Sequence, residues 1–151
     1  MVDDVNALGA RLRILEDERA IVETLHRYGH AMDYGPDAAF VSCFVVDGSW
    51  DVRMRRSRAG FTCRGHAEIA ASLAAQTSVR VPALYAKHII VDPRITLDGD
   101  RASVVSYFLR VEPKHDGPTQ IVASGRYLDR LVRSDDGSWR FEERIAEIDD
   151  M

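Results

Sequence analysis

The chain has 151 residues, of which 46% are hydrophobic and 29% charged, and its formal net charge is −4. This composition is typical of one globular domain, here residues 1–151, with a sizeable core, and it gives no support to a nucleic-acid or membrane partner. Cys43 and Cys63 have no metal-ligand spacing, and the N-terminus lacks a signal-peptide pattern, so the expected location is the cytoplasm.

A long helix is predicted from Asp3 to Met32. Its apolar residues recur at spacings of three, four or seven, which indicates one helical series: Leu8, Leu12, Leu15, Val22, Leu25, Tyr28 and Met32. Gly35-Pro36 ends this helix, because the residue before a proline avoids the helical region. A second helix is predicted over Asp37–Phe44, followed by a turn at Val46–Ser49.

Two short strands and a third helix follow. The strands are predicted over Trp50–Met54 and Phe61–Arg64. Gly65-His66 then opens a helix over Ala67–Gln76.

After Pro82 the pattern is that of β-strands. The predicted strands are Tyr85–Leu97, Arg101–Glu112, Ile121–Val132 and Trp139–Ile148. Asp92-Pro93 interrupts the first of them, which predicts a bulge or an edge position. Helices and strands are segregated along the chain, so we expect an α+β fold with a curved, mostly antiparallel sheet packed against helices on one face.

Three ionisable residues are the strongest chemical signal. Tyr28 and Asp33 lie at the end of the first helix, and His88 precedes the apolar run Ile89-Ile90-Val91. A carboxylate and an imidazole are the commonest groups for proton transfer near neutral pH, and a buried polar group needs a partner. Positions 28 and 33 lie roughly 140° apart on an ideal helix, so a shared site must wrap one helix edge.

The order of elements and several local strings resemble the nuclear-transport-factor-2-like superfamily, in its SnoaL-like branch. The matching strings are Leu15-Glu16-Asp17, Tyr28 to Asp33, Gly65-His66-Ala67-Glu68-Ile69, Lys87-His88, Asp98-Gly99-Asp100, Gly125-Arg126-Tyr127 and Asp136-Gly137-Ser138-Trp139-Arg140-Phe141. The resemblance implies a cone-shaped α+β barrel, with three N-terminal helices on the curved sheet and a pocket between them. It is weaker as a guide to the reaction, because one fold hosts many functions.

The resemblance also implies roles for individual residues. Scytalone dehydratase, a bile-acid dehydratase and a hexachlorocyclohexane dehydrochlorinase use a helix-borne Asp with a strand-borne His, which correspond to Asp33 and His88. Tyr28 matches a catalytic tyrosine of the bile-acid enzyme, and Arg144 matches a pocket arginine of the dehydrochlorinase. Scytalone dehydratase has a tyrosine where Met32 stands and a histidine near Tyr107, so a shared substrate with that enzyme is not expected.

Each assignment has a plainer alternative. Asp33 could be a polar helix-terminal residue that faces water, and His88 could be a core histidine with a satisfied hydrogen bond. Tyr28 has the spacing of a core residue. Arg144 alternates with Trp139 and Phe141, so it should face the opposite side of the sheet unless a bulge intervenes. Tyr107 shares a face with Val105 and Leu109, which makes it part of the core or of a pocket wall.

The same helix also carries a candidate set of metal ligands. His26, His30 and Asp33 are spaced to share one helix face, as metal ligands can. No fourth ligand is evident, so we expect no metal and no cofactor.

The sequence therefore predicts a cofactor-independent lyase or isomerase, of the dehydratase type, acting on a small, apolar, oxygenated or ring-containing molecule. Asp33, His88 and Tyr28 are the expected catalytic residues; the expected substrate-binding residues are Arg144, Tyr107, Trp50 and Met32. The alternative is a non-catalytic binding or accessory module, including the small subunit of a ring-hydroxylating dioxygenase. Apolar residues at both parities of the long strands predict a homo-oligomer, either a dimer or a trimer.

Overall fold

The computed structural model describes residues 2–76 and 86–149. The helices are α1 (Val2–Asp33), α2 (Asp37–Val41) and α3 (Gly65–Gln76). The strands are β1 (Phe44–Met54), β2 (Gly60–Arg64), β3 (Lys87–Asp98), β4 (Arg101–Lys114), β5 (Gly117–Arg133) and β6 (Trp139–Asp149). Pro82 and Tyr85, at the predicted start of the third strand, lie outside the described residues.

The six strands form one sheet in the order β2-β1-β6-β5-β4-β3. Neighbouring strands are antiparallel except for β1 and β6, which run parallel. We call the face of the sheet that carries the buried side chains and packs against the helices the inner face, and the opposite one the outer face. The α+β class and the mostly antiparallel sheet predicted from the sequence are confirmed.

The core lies between α1 and the inner face. Ile21, Leu25 and Tyr28 occupy one stripe of α1 and are all buried, as expected for residues four and three positions apart. The Thr24 hydroxyl donates to the carbonyl of Trp139 at 2.8 Å and so ties α1 to the start of β6. This stripe fixes which side of α1 faces the sheet.

The N-terminal half of α1 departs from the predicted helical series. Leu8, Leu12 and Leu15 are 67%, 53% and 61% exposed, although their spacing placed them in the same series as Leu25 and Tyr28. At 100° per residue, Leu8 and Tyr28 point about 160° apart, so a series with these spacings winds around α1. The predicted helix is confirmed, and its apolar residues lie on more than one side of it.

The second helix is shorter than predicted. It ends at Val41, and β1 already begins at Phe44, so the predicted turn at Val46–Ser49 is an irregular stretch inside a strand. The pairing of β1 with β6 skips from Phe44 to Ser49. Gly48 lies so close to β6 that a Cβ atom there would be 2.8 Å from the carbonyl oxygen of Phe141. The turn-forming residues thus make a bulge.

The predicted inward face of the β4 strand is wrong. Val104, Ser106 and Phe108 are the buried residues, whereas Val105 and Tyr107 are 41% and 59% exposed on the outer face. The alternate residues that include Val105 and Tyr107 are the more apolar set, yet they face outward. The other set, which includes Ser106, carries polar side chains toward the centre of the fold. Tyr107 is therefore not part of the core or of an inner pocket wall.

Two irregularities set the course of the edge strand and of β6. Asp92 has a positive φ of 51°, and the β3–β4 register shifts between Val91 and Arg94, which confirms the predicted bulge on an edge strand. In β6, Phe141 pairs with Leu131 and the next pair is formed by Glu143, so Glu142 is an extra residue. A single inserted residue reverses the side-chain parity that follows it.

Candidate functional site

Asp33 and His88 form a hydrogen-bonded pair at the junction of α1 and β3. The Asp33 Oδ1 atom lies 2.5 Å from Nδ1 of His88, and Oδ2 accepts the backbone N–H of the same histidine at 2.7 Å. The two side chains are 7% and 18% exposed. One carboxylate thus holds both the backbone and the ring of His88.

The position of this pair follows from local packing. Asp33 is the last residue of α1, where the helix dipole disfavours a negative charge. The two hydrogen bonds from His88 offset that cost. One turn earlier, Gly29 lets the helix approach β3, since a Cβ atom there would already touch the carbonyl oxygen of His88 at 3.4 Å.

A second polar pair, Asp129 and Arg144, is completely buried. The Arg144 Nε atom donates to Oδ1 of Asp129 at 2.9 Å and Nη2 donates to Oδ2 at 3.0 Å, and both side chains are 0% exposed. The extra residue Glu142 in β6 turns Arg144 inward on the same face as Phe141. This is the bulge that the alternation argument required, so Arg144 lies inside rather than on the surface.

Aromatic rings enclose the Arg144 guanidinium. Its central carbon lies 4.0 Å from the ring centroid of Tyr28, 3.8 Å from that of Tyr127 and 4.4 Å from that of Phe141. Cation–π attraction is strongest when, as here, the cation is removed from water. The arrangement favours an Arg144 that stays charged although it is fully buried.

Burial shifts the pKa values around this cluster. It raises the pKa of Asp129 to about 6, although the Arg144 charge and hydrogen bonds oppose the rise. Burial also raises the pKa of Tyr127 to about 12 and that of Tyr28 well above its usual 10.0. Both phenols are therefore protonated at neutral pH and can act as hydrogen-bond donors.

Tyr127 connects the two polar pairs. Its ring stacks on Phe108 with centroids 4.6 Å apart and meets the Tyr28 ring edge-on at 5.9 Å. The negative charge of Asp33 contributes to the raised pKa of Tyr127, as does that of Asp129. Gly125 makes room for the stack, because a Cβ atom there would lie 2.8 Å from the Phe108 ring.

Four buried side-chain polar atoms have no hydrogen-bond partner in the described part of the chain. They are Trp50 Nε1, Ser106 Oγ, Arg110 Nε and Arg144 Nη1. Their residues lie beside the two polar pairs in the strand register: Trp50 is opposite Arg144, and Arg110 is opposite His88. Three of these atoms are N–H donors, although the Trp50 indole lies close enough to the Tyr28 hydroxyl to affect its pKa, so this side of the sheet offers donors for which the described residues supply no well-placed acceptor.

The structure brings some predicted site residues together and separates others. Asp33 joins His88, Tyr28 joins Arg144, and Met32 is partly buried against the core. Tyr107 lies on the outer face, away from these groups.

Asp129, Ser106 and Arg110 were not predicted from the sequence as site residues. Asp129 alternates with Tyr127 and Leu131, so a carboxylate in an apolar inward series was the available signal.

The metal alternative gains no geometric support. His26 and His30 are exposed on α1, whereas Asp33 is engaged by His88. Among residues 2–76 and 86–149, no three His, Cys, Asp or Glu side chains are close enough together to hold a metal ion. In the same ranges every helix is too short or too polar to span a bilayer.

A separate apolar groove of about 540 Å³ lies between α2 and α3. It is lined by Asp37, Ala38, Val41, Ser42, His66, Ala67 and Ala70. None of these residues belongs to either polar pair.

Comparison with known proteins gives two curated relatives, both of them beta subunits of the same enzyme component and both matched over part of their length. The beta 2 subunit of the terminal oxygenase component of terephthalate 1,2-dioxygenase from Comamonas sp. is 39% identical over 64 residues. These residues are 42% of this chain and 41% of the relative, so the match spans about two fifths of each protein.

Solved structures match over nearly the whole chain. An NTF2-like protein with a cystatin-like fold from Novosphingobium aromaticivorans is 29% identical with a TM-score of 0.81, covering 98% of this chain and 92% of that one. A protein assigned as the beta subunit of an aromatic-ring-hydroxylating dioxygenase from the same organism has a TM-score of 0.77 at 23% identity, covering 93% of each chain. The latter identity supports a shared fold alone.

The family model for the SnoaL-like domain matches residues 13–145, which include both polar pairs and all six strands but the last few residues of β6. The chain belongs to the SnoaL-like domain family, within the NTF2-like fold.

Proposed function

We propose that the inner face around Asp33 and His88 catalyses a cofactor-independent acid–base reaction, either an elimination or a proton-shift isomerisation. The substrate class is a small, apolar, oxygenated or ring-containing molecule. The observation that carries the proposal is the double hydrogen bond by which one carboxylate holds both the ring and the backbone of His88. Such a hold fixes the tautomer and the direction of an imidazole base.

His88 is the proposed base. With Asp33 accepting the hydrogen bond from Nδ1–H, the lone pair is on Nε2, for which the described residues provide no partner. Nε2 would remove a proton next to a carbonyl or opposite a leaving group. The Asp33 charge then stabilises the imidazolium that forms.

The unpartnered donors are the proposed stabilisers of developing negative charge. Arg110 is opposite His88 in the strand register and keeps a free Nε although its Nη2 pairs with Glu112, and Trp50 is opposite Arg144. A buried donor without an acceptor costs free energy that an oxyanion or leaving group would recover. Tyr28, whose pKa is raised by burial so that it stays protonated, is a proposed hydrogen-bond donor to the developing negative charge, and the surrounding rings suit a ring-shaped substrate.

Proton abstraction can be tested before the substrate is known. The full-length protein is incubated in D₂O with a panel of cyclic ketones and β-hydroxy ketones. Deuterium incorporation is followed by mass spectrometry and NMR, and water loss is monitored in the same samples. We expect exchange or elimination with a subset of the panel, reduced by a factor of roughly 10² to 10⁴ in His88→Ala and Asp33→Asn.

His26→Ala is the matched control, because His26 is an exposed histidine on the same helix as Asp33. It should retain full activity. Full activity in both His88→Ala and Asp33→Asn, on any compound that the wild-type protein converts, would refute this mechanism.

The second candidate is a non-catalytic accessory subunit. The matches to dioxygenase beta subunits favour it, and so does the apolar outer face, where Ile89, Val91, Val105 and Tyr107 are exposed. This face would contact either a large oxygenase subunit or other copies of the chain, as a dimer or trimer. Co-expression with an oxygenase large subunit separates the two: a stable complex that turns over an aromatic substrate, unaffected by His88→Ala, supports the accessory role.

A further inference from the structure

The N-terminal part of α1 carries an apolar stripe that faces solvent. Residues 4–16 are exposed at every position except Gly9. Within this segment Val5, Leu8, Leu12 and Leu15 are 66%, 67%, 53% and 61% exposed. We call these four residues the N-terminal stripe. An isolated helical segment of this length is marginal in water, so it needs packing to be stable.

The stripe lies on a different side of α1 from the core residues. At 100° per residue, its mean direction is about 150° from that of Ile21, Leu25 and Tyr28. The sheet that buries those three residues therefore does not cover the stripe. Within residues 4–76 and 86–149 the stripe remains exposed.

The spacing within the stripe specifies the kind of surface. Val5, Leu8, Leu12 and Leu15 are separated by three, four and three residues, which is the a and d spacing of a coiled coil. Such a seam packs best against another helix with the same spacing. We propose that the N-terminal stripe pairs with the same stripe of a second copy of this chain, in a parallel two-helix contact.

Flanking charges favour the second copy and the parallel direction. With Val5 and Leu12 at a positions, Arg11 occupies a g position and Glu16 the following e position. In a parallel pair, each Arg11 faces Glu16 of the other copy, which gives two attractive contacts. In an antiparallel pair, Arg11 would face Arg11, which is repulsive. Neither residue forms an ion pair with the described part of its own chain.

The contact is tested on the full-length protein by sedimentation velocity over a concentration series. We expect the wild-type chain to self-associate, and Leu8→Glu/Leu12→Glu to raise the dissociation constant at least about tenfold. Both positions are solvent-exposed in the single chain, so at concentrations where the wild-type protein is also dissociated the variant should match its circular dichroism and unfolding midpoint. Ile14→Glu is the matched control: Ile14 is 50% exposed on the same helix but off the stripe.

Charge reversal tests the direction. Arg11→Glu and Glu16→Arg should each weaken association, and the double variant should restore it, because only the parallel pair juxtaposes these residues. Leu8→Cys should also give a disulfide-linked dimer under mild oxidation. The proposal is overturned by a wild-type chain that stays monomeric at about 0.1 mM, or by self-association that the stripe variants leave intact. If Ile89→Glu, on the outer face of the sheet, abolished association instead, the copies would be held together by the sheet and not by the stripe.

Discussion

Each of the two polar pairs joins an aspartate to a basic residue, but the pairs differ in their place in the fold and in their exposure. Asp33 and His88 meet at the edge of the fold, on the last residue of a helix and near the start of an edge strand, and the histidine retains some exposure. Asp129 and Arg144 lie on two central strands, fully buried and surrounded by aromatic rings. The first pair is placed where a ligand could reach it, whereas the second keeps the Arg144 guanidinium, which stays charged, away from water.

This difference suits the two pairs to different roles in a site, proton transfer for one and charge stabilisation for the other. A proton-transfer group must be reachable by its ligand, which suits a histidine at an edge of the fold. A stabilising charge acts most strongly where water is excluded, which suits an arginine whose charge does not change with pH. Tyr127, which interacts with Asp33 and with Arg144, is the connection between them.

The largest expected effect comes from breaking the buried pair. Asp129→Leu leaves the Arg144 guanidinium buried without its counter-charge, which should lower the free energy of unfolding by about 3–5 kcal/mol. Urea unfolding of the purified variant measures this.

The double variant Asp129→Leu/Arg144→Met separates charge from packing. Replacing both partners by apolar residues of similar size should recover most of the loss, because no uncompensated charge remains. Glu23→Gln, which removes an exposed ion pair with Arg19, should change the unfolding midpoint very little. A double variant as unstable as Asp129→Leu alone would mean that shape rather than charge governs this region.

How far the sequence could predict these pairs depends on where each lies. Asp33 and His88 stand at the ends of regular elements, where type and position are readable from local patterns, and they do meet in the structure. Arg144 could not be assigned a face from alternation, because its direction depends on one extra residue at Glu142. A bulge of this kind is set by how two distant strands pair, which no local pattern records.

The two faces of β4 were also assigned wrongly from the local pattern. The sequence assigned the more apolar parity, including Tyr107, to the interior, as hydrophobic burial would dictate for an ordinary core. In this fold the interior parity carries Ser106 and Arg110, so polarity marks the site and the apolar parity marks the exposed surface. Asp129 was overlooked for the same reason, although it alternates with two buried residues.

The buried pair should also be visible in its titration. Because burial raises the pKa of Asp129 to about 6 from its ordinary 3.8, the native state binds this proton more tightly than the unfolded chain does between those values. The group's contribution to the free energy of unfolding is therefore full below about pH 4 and is lost as the pH rises through 6. A ¹³C NMR titration of the Asp129 carboxyl should have its midpoint near 6.

Two comparisons test this assignment. Relative to Asp129→Asn, the wild-type protein should lose stability as the pH rises from 4 to 7. Asp17 gives the opposite sign, since its hydrogen bond from Arg133 lowers its pKa and its contribution is lost on acidification. A midpoint below 4 for Asp129 would show that Arg144 outweighs burial.

The smallest change in stability is expected at the pair with the greatest proposed chemical importance. Asp33→Asn preserves an oxygen that can accept the backbone N–H of His88, so we expect the free energy of unfolding to fall by only about 1 kcal/mol. The loss of the carboxylate should nevertheless release the ring from its Nδ1–H tautomer, which ¹⁵N NMR of His88 detects directly. A tautomer unchanged in this variant would mean that the ring is fixed by packing, and the distinction between a chemical pair and a structural pair would fail. A changed tautomer with near-normal stability would show that the fold does not depend on this pair for its cohesion, which is what a site kept for proton transfer requires.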